Sequence, residues 1–132
     1  MKILVDTNIL ISALLYPKSK PGIALMHIAD NYNLVLTDYN ISELHRVTKA
    51  KFPDKQADID VLLAELTFEL VAAPLSPQKL IADPKDAPIL NAAILAGVDM
   101  IISGDKHFLE LAIEHPKVMK VAEYLEWAEL DF

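Results

Sequence analysis

Short apolar runs alternate along this chain with stretches whose apolar residues recur at helical spacing. Residues 2–5 read as a buried strand, since a continuous apolar run that short suits a strand covered on both faces. Residues 8–15 continue as a helix with Ile9, Leu10, Ala13 and Leu14 on one face, and Pro17 stops it. Pro21 opens a second helix, where Ile23, Met26, His27 and Asp30 keep helical spacing until residues 31–33 turn the chain. Residues 34–36 form the next strand, and Thr37 or Asp38 caps a helix that runs to about residue 52. After a break at 51–54, Asp54 caps an amphipathic helix carrying Ile59, Leu62, Leu63, Leu66 and Phe68.

The second half keeps the alternation less cleanly. Residues 69–72 read as a third strand, and residues 73–85, with three of the eight prolines, as a loop. Residues 86–95 are helical with Gly97 as C-cap, and residues 100–102 make a fourth strand. A helix follows Ser103 and Gly104 to about residue 114, residues 118–121 form a fifth, edge strand, and a last helix carries Leu125, Trp127 and Ala128. Strands separated by helices predict βαβ units, hence an α/β fold with a mainly parallel sheet of four to five strands.

Length then limits the number of cores. With 132 residues, 53% of them apolar, one core is well supplied and a second is not, so residues 1–132 are expected to form a single domain. The absence of cysteine excludes a disulfide framework and a thiolate zinc site. Asp6 interrupts the opening apolar run before it reaches signal-peptide length, and no stretch approaches membrane-spanning length, so a cytoplasmic protein away from membranes is the default expectation.

Charge complicates any nucleic-acid role. A formal net charge of -7 argues against gripping a polyanion through bulk electrostatics. Local cations remain: Arg46, the sole arginine, with Lys49 and Lys51 makes one patch, and Lys18, Lys20, Lys85 and Lys106 offer others. Any one of these lysines taken alone is more often plain solvated surface.

Four acids stand out by position. Asp6 directly follows the first strand and Asp105 follows the fourth after two residues, which sets both at the C-terminal edge of a parallel sheet, where such folds place ligands. Asp86 opens a helix, and Glu43 lies inside one, on a face shared with Tyr39, Val47 and Ala50. Helix capping explains Asp6, Asp83 or Asp105 singly, a capping box explains Asp86, and an i,i+3 pair with Arg46 explains Glu43. Capping does not explain why so many junctions carry acid where serine or threonine would serve. Carboxylates gathered in one pocket repel one another unless a counter-charge joins them, and magnesium or manganese supplies it. Thr7, Asn8 and Ser103 carry short donors able to orient carboxylates, though each is more often a turn or cap residue. The histidines show no metal-ligand spacing such as HxxxH, and only His107 falls near the proposed site.

In order and spacing, the segments Val5-Asp6-Thr7-Asn8-Ile9-Leu10, Ile41-Ser42-Glu43-Leu44, Asp83-Pro84-Lys85-Asp86-Ala87-Pro88-Ile89-Leu90 and Ser103-Gly104-Asp105-Lys106-His107-Phe108 resemble the PIN-domain family. Any one of these motifs is weak; the four in succession are fairly specific and span nearly the whole chain. The likeness is greatest to the toxin components of toxin–antitoxin systems, the VapC-type ribonucleases. It implies a three-layer α/β/α sandwich and magnesium- or manganese-dependent hydrolysis of single-stranded RNA. It also implies an antitoxin partner and a possible homodimer, and it puts the catalytic, metal-binding quartet on Asp6, Glu43, Asp86 and Asp105. The family's hydroxyl and amide neighbours fall on Thr7, Asn8 and Ser103, and Arg46, Lys49, Lys85 and Lys106 are candidates for the substrate track. Some relatives carry a further acid just after the last motif, where this chain has His107; Asp83 is an extra acid with no assigned role.

Two other classes compete. A PIN-like scaffold with weak or no catalysis, acting as a binding or regulatory module, suits the acidic charge and His107. A phosphatase or phospho-receiver also uses aspartates at strand ends, but Asn8 occupies the second position of a would-be DxD motif and no acceptor aspartate ends a central strand at a suitable interval. The three glycines, Gly22, Gly97 and Gly104, make no phosphate-binding loop.

Overall fold

The opening strand is apolar without alternation because both of its faces are covered. In the computed structural model, which describes residues 1–111 and 113–130, β1 (Lys2–Val5) lies at the centre of a five-stranded sheet. Its partners are β2 (Asn33–Thr37), β3 (Phe68–Val71), β4 (Met100–Ile102) and β5 (Lys117–Met119), in the order β3-β2-β1-β4-β5. Every pairing is parallel. Successive residues feed opposite layers: Ile3, Val5, Leu34, Leu36, Met100 and Ile102 join one buried cluster, whereas Leu4, Val35 and Ile101 join another.

Parallel neighbours need crossover segments, and helices supply them. The first layer takes α1 (Thr7–Leu15), α2 (Lys20–Asn31) and α7 (Val121–Trp127), with Leu44 of α3 (Asp38–Lys51) and Ile59 of α4 (Gln56–Glu65). The second takes α5 (Ala87–Leu95) and Phe108 of the one-turn α6 (Lys106–Leu109). The result is the three-layer α/β/α sandwich expected from the sequence, with an entirely parallel sheet of five strands.

Local chemistry accounts for most boundaries. Thr37, not Asp38, caps α3, in a capping box with Asn40. Gly97 follows α5 with φ +68°, a conformation that favours glycine. The long loop before α5 is held in place rather than free: Ile81 is buried in the second cluster, and the buried Asn91 clasps the backbone N–H and C=O of Gln78 at 3.0 and 2.8 Å.

Four sequence expectations shift. Asp54 sits in a 3-10 turn, Pro53–Lys55, and Lys55 takes the N-cap position of α4. Phe68 matches helical spacing, yet α4 ends at Glu65, Leu66 is extended with ψ 132°, and Phe68 pairs with Leu34 in β3. The helix after Asp105 stops at Leu109, because Phe108 is its one fully buried anchor; of its expected extension to residue 114, Ala112 lies outside the described residues and Leu111 and Ile113 are not helical. The edge strand spans Lys117–Met119, and Val121 instead begins α7, whose N-cap is Lys120.

Candidate metal centre

Sheet register brings the first acid to its partner. Val5 stands beside Ile102, so the next residues, Asp6 and Ser103, leave neighbouring strands together, and the Asp6 N–H donates to the Ile102 carbonyl at 3.1 Å. The chain reverses its direction across the sheet here, since β2 lies on one side of β1 and β4 on the other; that is where open parallel sheets form a crevice. Asp6 both caps α1 and lines the crevice: Oδ1 accepts from the Ile9 N–H at 3.0 Å, and Oδ2 accepts a short bond from the Ser103 hydroxyl. Ser103 Oγ in turn accepts from the Asp105 N–H at 3.0 Å, which ties the two acidic junctions into one unit.

All four predicted acids line a single crevice of about 420 Å³, together with Asp83, Arg46, Lys51 and Lys85. Glu43 does face inward, and its carboxylate pairs with Arg46 at 3.5 Å. The tightest grouping, however, is not the predicted quartet. Ligand atoms of Asp83, Asp86, Asp105 and His107 all lie within 4.8 Å of one another, and Asp6 and Glu43 form the adjoining wall. Asp83 therefore stands with the acids of the crevice and His107 borders them from the neighbouring pocket, where the sequence reading gave the first no assigned role and the second no metal-ligand spacing. The i,i+3 pairing of Asp83 with Asp86 and the i,i+2 pairing of Asp105 with His107 were the available signals.

The donors and cations predicted around the quartet divide. Ser103 donates its hydroxyl to the Asp6 carboxylate. Thr7 turns its hydroxyl to accept from the Asn40 side chain at 3.0 Å, which fastens α1 to the cap of α3. Asn8 lines the crevice and supplies a backbone N–H toward Asp6. Asn40, fully buried with its Oδ1 accepting from the Thr37 N–H and hydroxyl, escaped the sequence reading because its side-chain N–H bond to Thr7 crosses between elements. Arg46 and Lys85 reach the crevice; Lys49 and Lys106 are not among the residues lining it.

Burial and mutual repulsion act on the acids of the crevice. Burial pushes the Asp6 carboxyl up; Ser103 and the Ile9 N–H pull it back, and the Asp105 charge adds to the rise. Burial, then the charges of Asp105 and Asp83, push Asp86 to about 7 despite the opposing effect of His107. Tyr39 is raised by burial and by Glu43. Asp86 Oδ2 is buried and has no hydrogen-bond partner, which leaves a strong acceptor orphaned among other carboxylates. An orphaned oxygen within a set of carboxylate donors fits a hard divalent cation.

A five-stranded parallel α/β sandwich with an acidic crevice at its switch point defines the architectural class. Within that class, the PIN-domain sequence profile matches residues 2–107, and the chain belongs to the PIN-domain family. No curated protein sequence matches it significantly. Among solved structures it is similar to VapBC2 from Rickettsia felis, bound to a DNA fragment from its promoter, with TM-score 0.70 and 16% identity over 91% of this chain and 98% of that one. It is also similar to DNA-bound VapBC from Salmonella typhimurium, with TM-score 0.69 and 12% identity over 92% and 98% of the two chains. At these identities the likeness is one of fold.

Proposed function

We propose that this chain, working as a single PIN domain over residues 1–132, is a magnesium- or manganese-dependent endoribonuclease that hydrolyses single-stranded RNA as the toxin of a toxin–antitoxin pair. The observation that carries the reading is the convergence of Asp6, Glu43, Asp86 and Asp105 on one crevice in which a buried carboxylate oxygen has no partner. Family membership and the fold shared with two VapBC proteins support the class of activity and a cognate antitoxin.

Each residue has a definable task. Asp86 and Asp105, together with Asp6, would hold the cation; Ser103 keeps Asp6 and Asp105 in fixed relation. When bound, that cation makes a water more acidic and offsets the charge that builds on the phosphoryl oxygens. Glu43, positioned by Arg46, orients the attacking water or completes the ligand set. Arg46, Lys51 and Lys85 give the scissile phosphate a local positive rim despite the net charge of -7.

The test is a cleavage assay on single-stranded RNA with and without manganese, with Asp6→Asn as control and a thermal shift in parallel. Cleavage that needs the metal and is lost in Asp6→Asn is the expected result. Metal-dependent cleavage persisting in pure Asp6→Asn removes the assignment. A manganese shift without cleavage leaves the binding-module reading, and no shift at all argues against a metal centre.

A further inference from the structure

His107 departs from an all-oxygen donor set. Its Nδ1 stands 3.1 Å from Asp105 Oδ1 and 3.9 Å from both Asp83 Oδ2 and Asp86 Oδ2, so one ring nitrogen faces three carboxylates. A simple hydrogen bond explains only one of these approaches. Asp105 Oδ1 accepts the His107 backbone N–H at 2.7 Å and is hydrogen-bonded to the ring Nδ1 at 3.1 Å, which leaves the approaches to Asp83 and Asp86 unexplained. The orphaned Asp86 Oδ2 is in the same group. Ligands about 2.1 Å from an octahedral ion lie about 3.0 Å apart when adjacent and about 4.2 Å apart when opposite, and the three nitrogen–oxygen separations fall within that span.

We infer that His107, which borders the crevice from the neighbouring pocket, is a nitrogen ligand of a cation shared with Asp83, Asp86 and Asp105 and biases the site toward manganese or a heavier transition-metal ion over magnesium. The inference rests on the metal-dependent reading of the site and specifies which ion it takes. Carboxylates alone accept magnesium and manganese readily, whereas imidazole favours first-row transition ions, and magnesium keeps its oxygen shell. Asp105 caps the turn that carries His107, so the nitrogen and its neighbouring oxygen hold a fixed relation.

The experiment uses the full chain and the ions themselves. Manganese and magnesium affinities are measured by calorimetry for the wild type, His107→Asp and His107→Gln, and the manganese-loaded proteins are examined by electron spin-echo envelope modulation. The wild type is expected to show a directly coordinated nitrogen-14 coupling, absent from both variants. It is also expected to prefer manganese by at least about tenfold, a preference that falls severalfold in His107→Asp, where an oxygen donor replaces the nitrogen. Manganese bound without that coupling, or with the same preference in His107→Asp, overturns the inference and leaves the nuclease reading standing. Failure of the wild type to bind either ion overturns both.

Discussion

Two regions of this protein pair a histidine with buried ionisable groups, and they resolve the burial in opposite ways. Between α2 and α7, His27 Nδ1 is hydrogen-bonded to the Tyr124 hydroxyl at 2.7 Å, and the rings of Tyr32 and Trp127 pack around them. Burial raises the Tyr124 phenol well above its ordinary range, which costs nothing near neutral pH because the group is uncharged there anyway. In the crevice, burial acts on carboxylates that are ordinarily charged near neutral pH, and their neighbours are more carboxylates. The aromatic cluster satisfies itself; the acidic crevice leaves Asp86 Oδ2 without a partner. A buried polar group that is fully paired reads as structure, and one left short of a partner reads as a place for a ligand.

The comparison breaks most visibly in the chemistry. Asp6→Asn keeps an N-cap oxygen for the Ile9 N–H, so the fold is expected to survive, but it removes a negative charge from the crevice. Cleavage of single-stranded RNA should fall by about a thousandfold or more, or roughly 4 kcal/mol in the barrier, with Glu43→Gln close behind. Circular dichroism on the same samples separates lost chemistry from lost fold. Unchanged turnover in Asp6→Asn would make Asp6 a cap and nothing else.

How far that outcome was legible beforehand differs between the sheet and the site. The central strands β1, β2 and β4 announced themselves through the apolar runs that burial on both faces requires; Asp6, Asp86 and Asp105 were visible as acids at element junctions and Glu43 as an acid on the inward face of a helix. Local pattern failed where local spacing and tertiary pairing disagree, as at Phe68, drawn from a helical period into β3 by Leu34. The tightest grouping of the candidate site was hidden for a related reason. His107 meets Asp83 and Asp86 only because α6 and the loop before α5 fold against each other, a proximity of residues over twenty positions apart that no periodicity encodes. Asn40 and Asn91 were missed likewise, since buried amides act through partners, Thr7 and Gln78, that a one-dimensional reading does not supply.

In the aromatic cluster the large effect is on stability. Tyr124 is fully buried, so Tyr124→Ala leaves a cavity against His27 and Trp127 and should cost about 3 to 4 kcal/mol by urea denaturation. A loss below about 1 kcal/mol would show that this corner collapses freely and does not anchor α7.

Asp86→Asn should have the reverse sign. Asp86 sits at about 7 in the folded protein against its ordinary 3.8, so its contribution to stability is complete below pH 3.8 and is lost as pH rises through 7. The raised Asp6 carboxyl acts in the same direction. Metal-free Asp86→Asn should therefore be more stable than wild type above pH 7, by about 1 to 2 kcal/mol once solvent screening is allowed for, with the difference fading toward pH 4. Denaturation curves at several pH values in chelator check this. A destabilised Asp86→Asn at pH 8 would mean that the crevice, like the aromatic cluster, has already satisfied its charges.

The smallest effect tests whether the two regions are independent. Tyr124→Phe deletes one hydroxyl and leaves the packing, so the lost bond to His27 should cost about 1 kcal/mol. None of His27, Tyr32, Tyr124 and Trp127 lines the acidic crevice, so cleavage and manganese affinity should match wild type in a sample that melts lower. Melting and manganese titration of the one variant read both quantities together. An altered manganese affinity in Tyr124→Phe would show that the two histidine regions are coupled, and the crevice would then owe its charge balance partly to the cluster between α2 and α7.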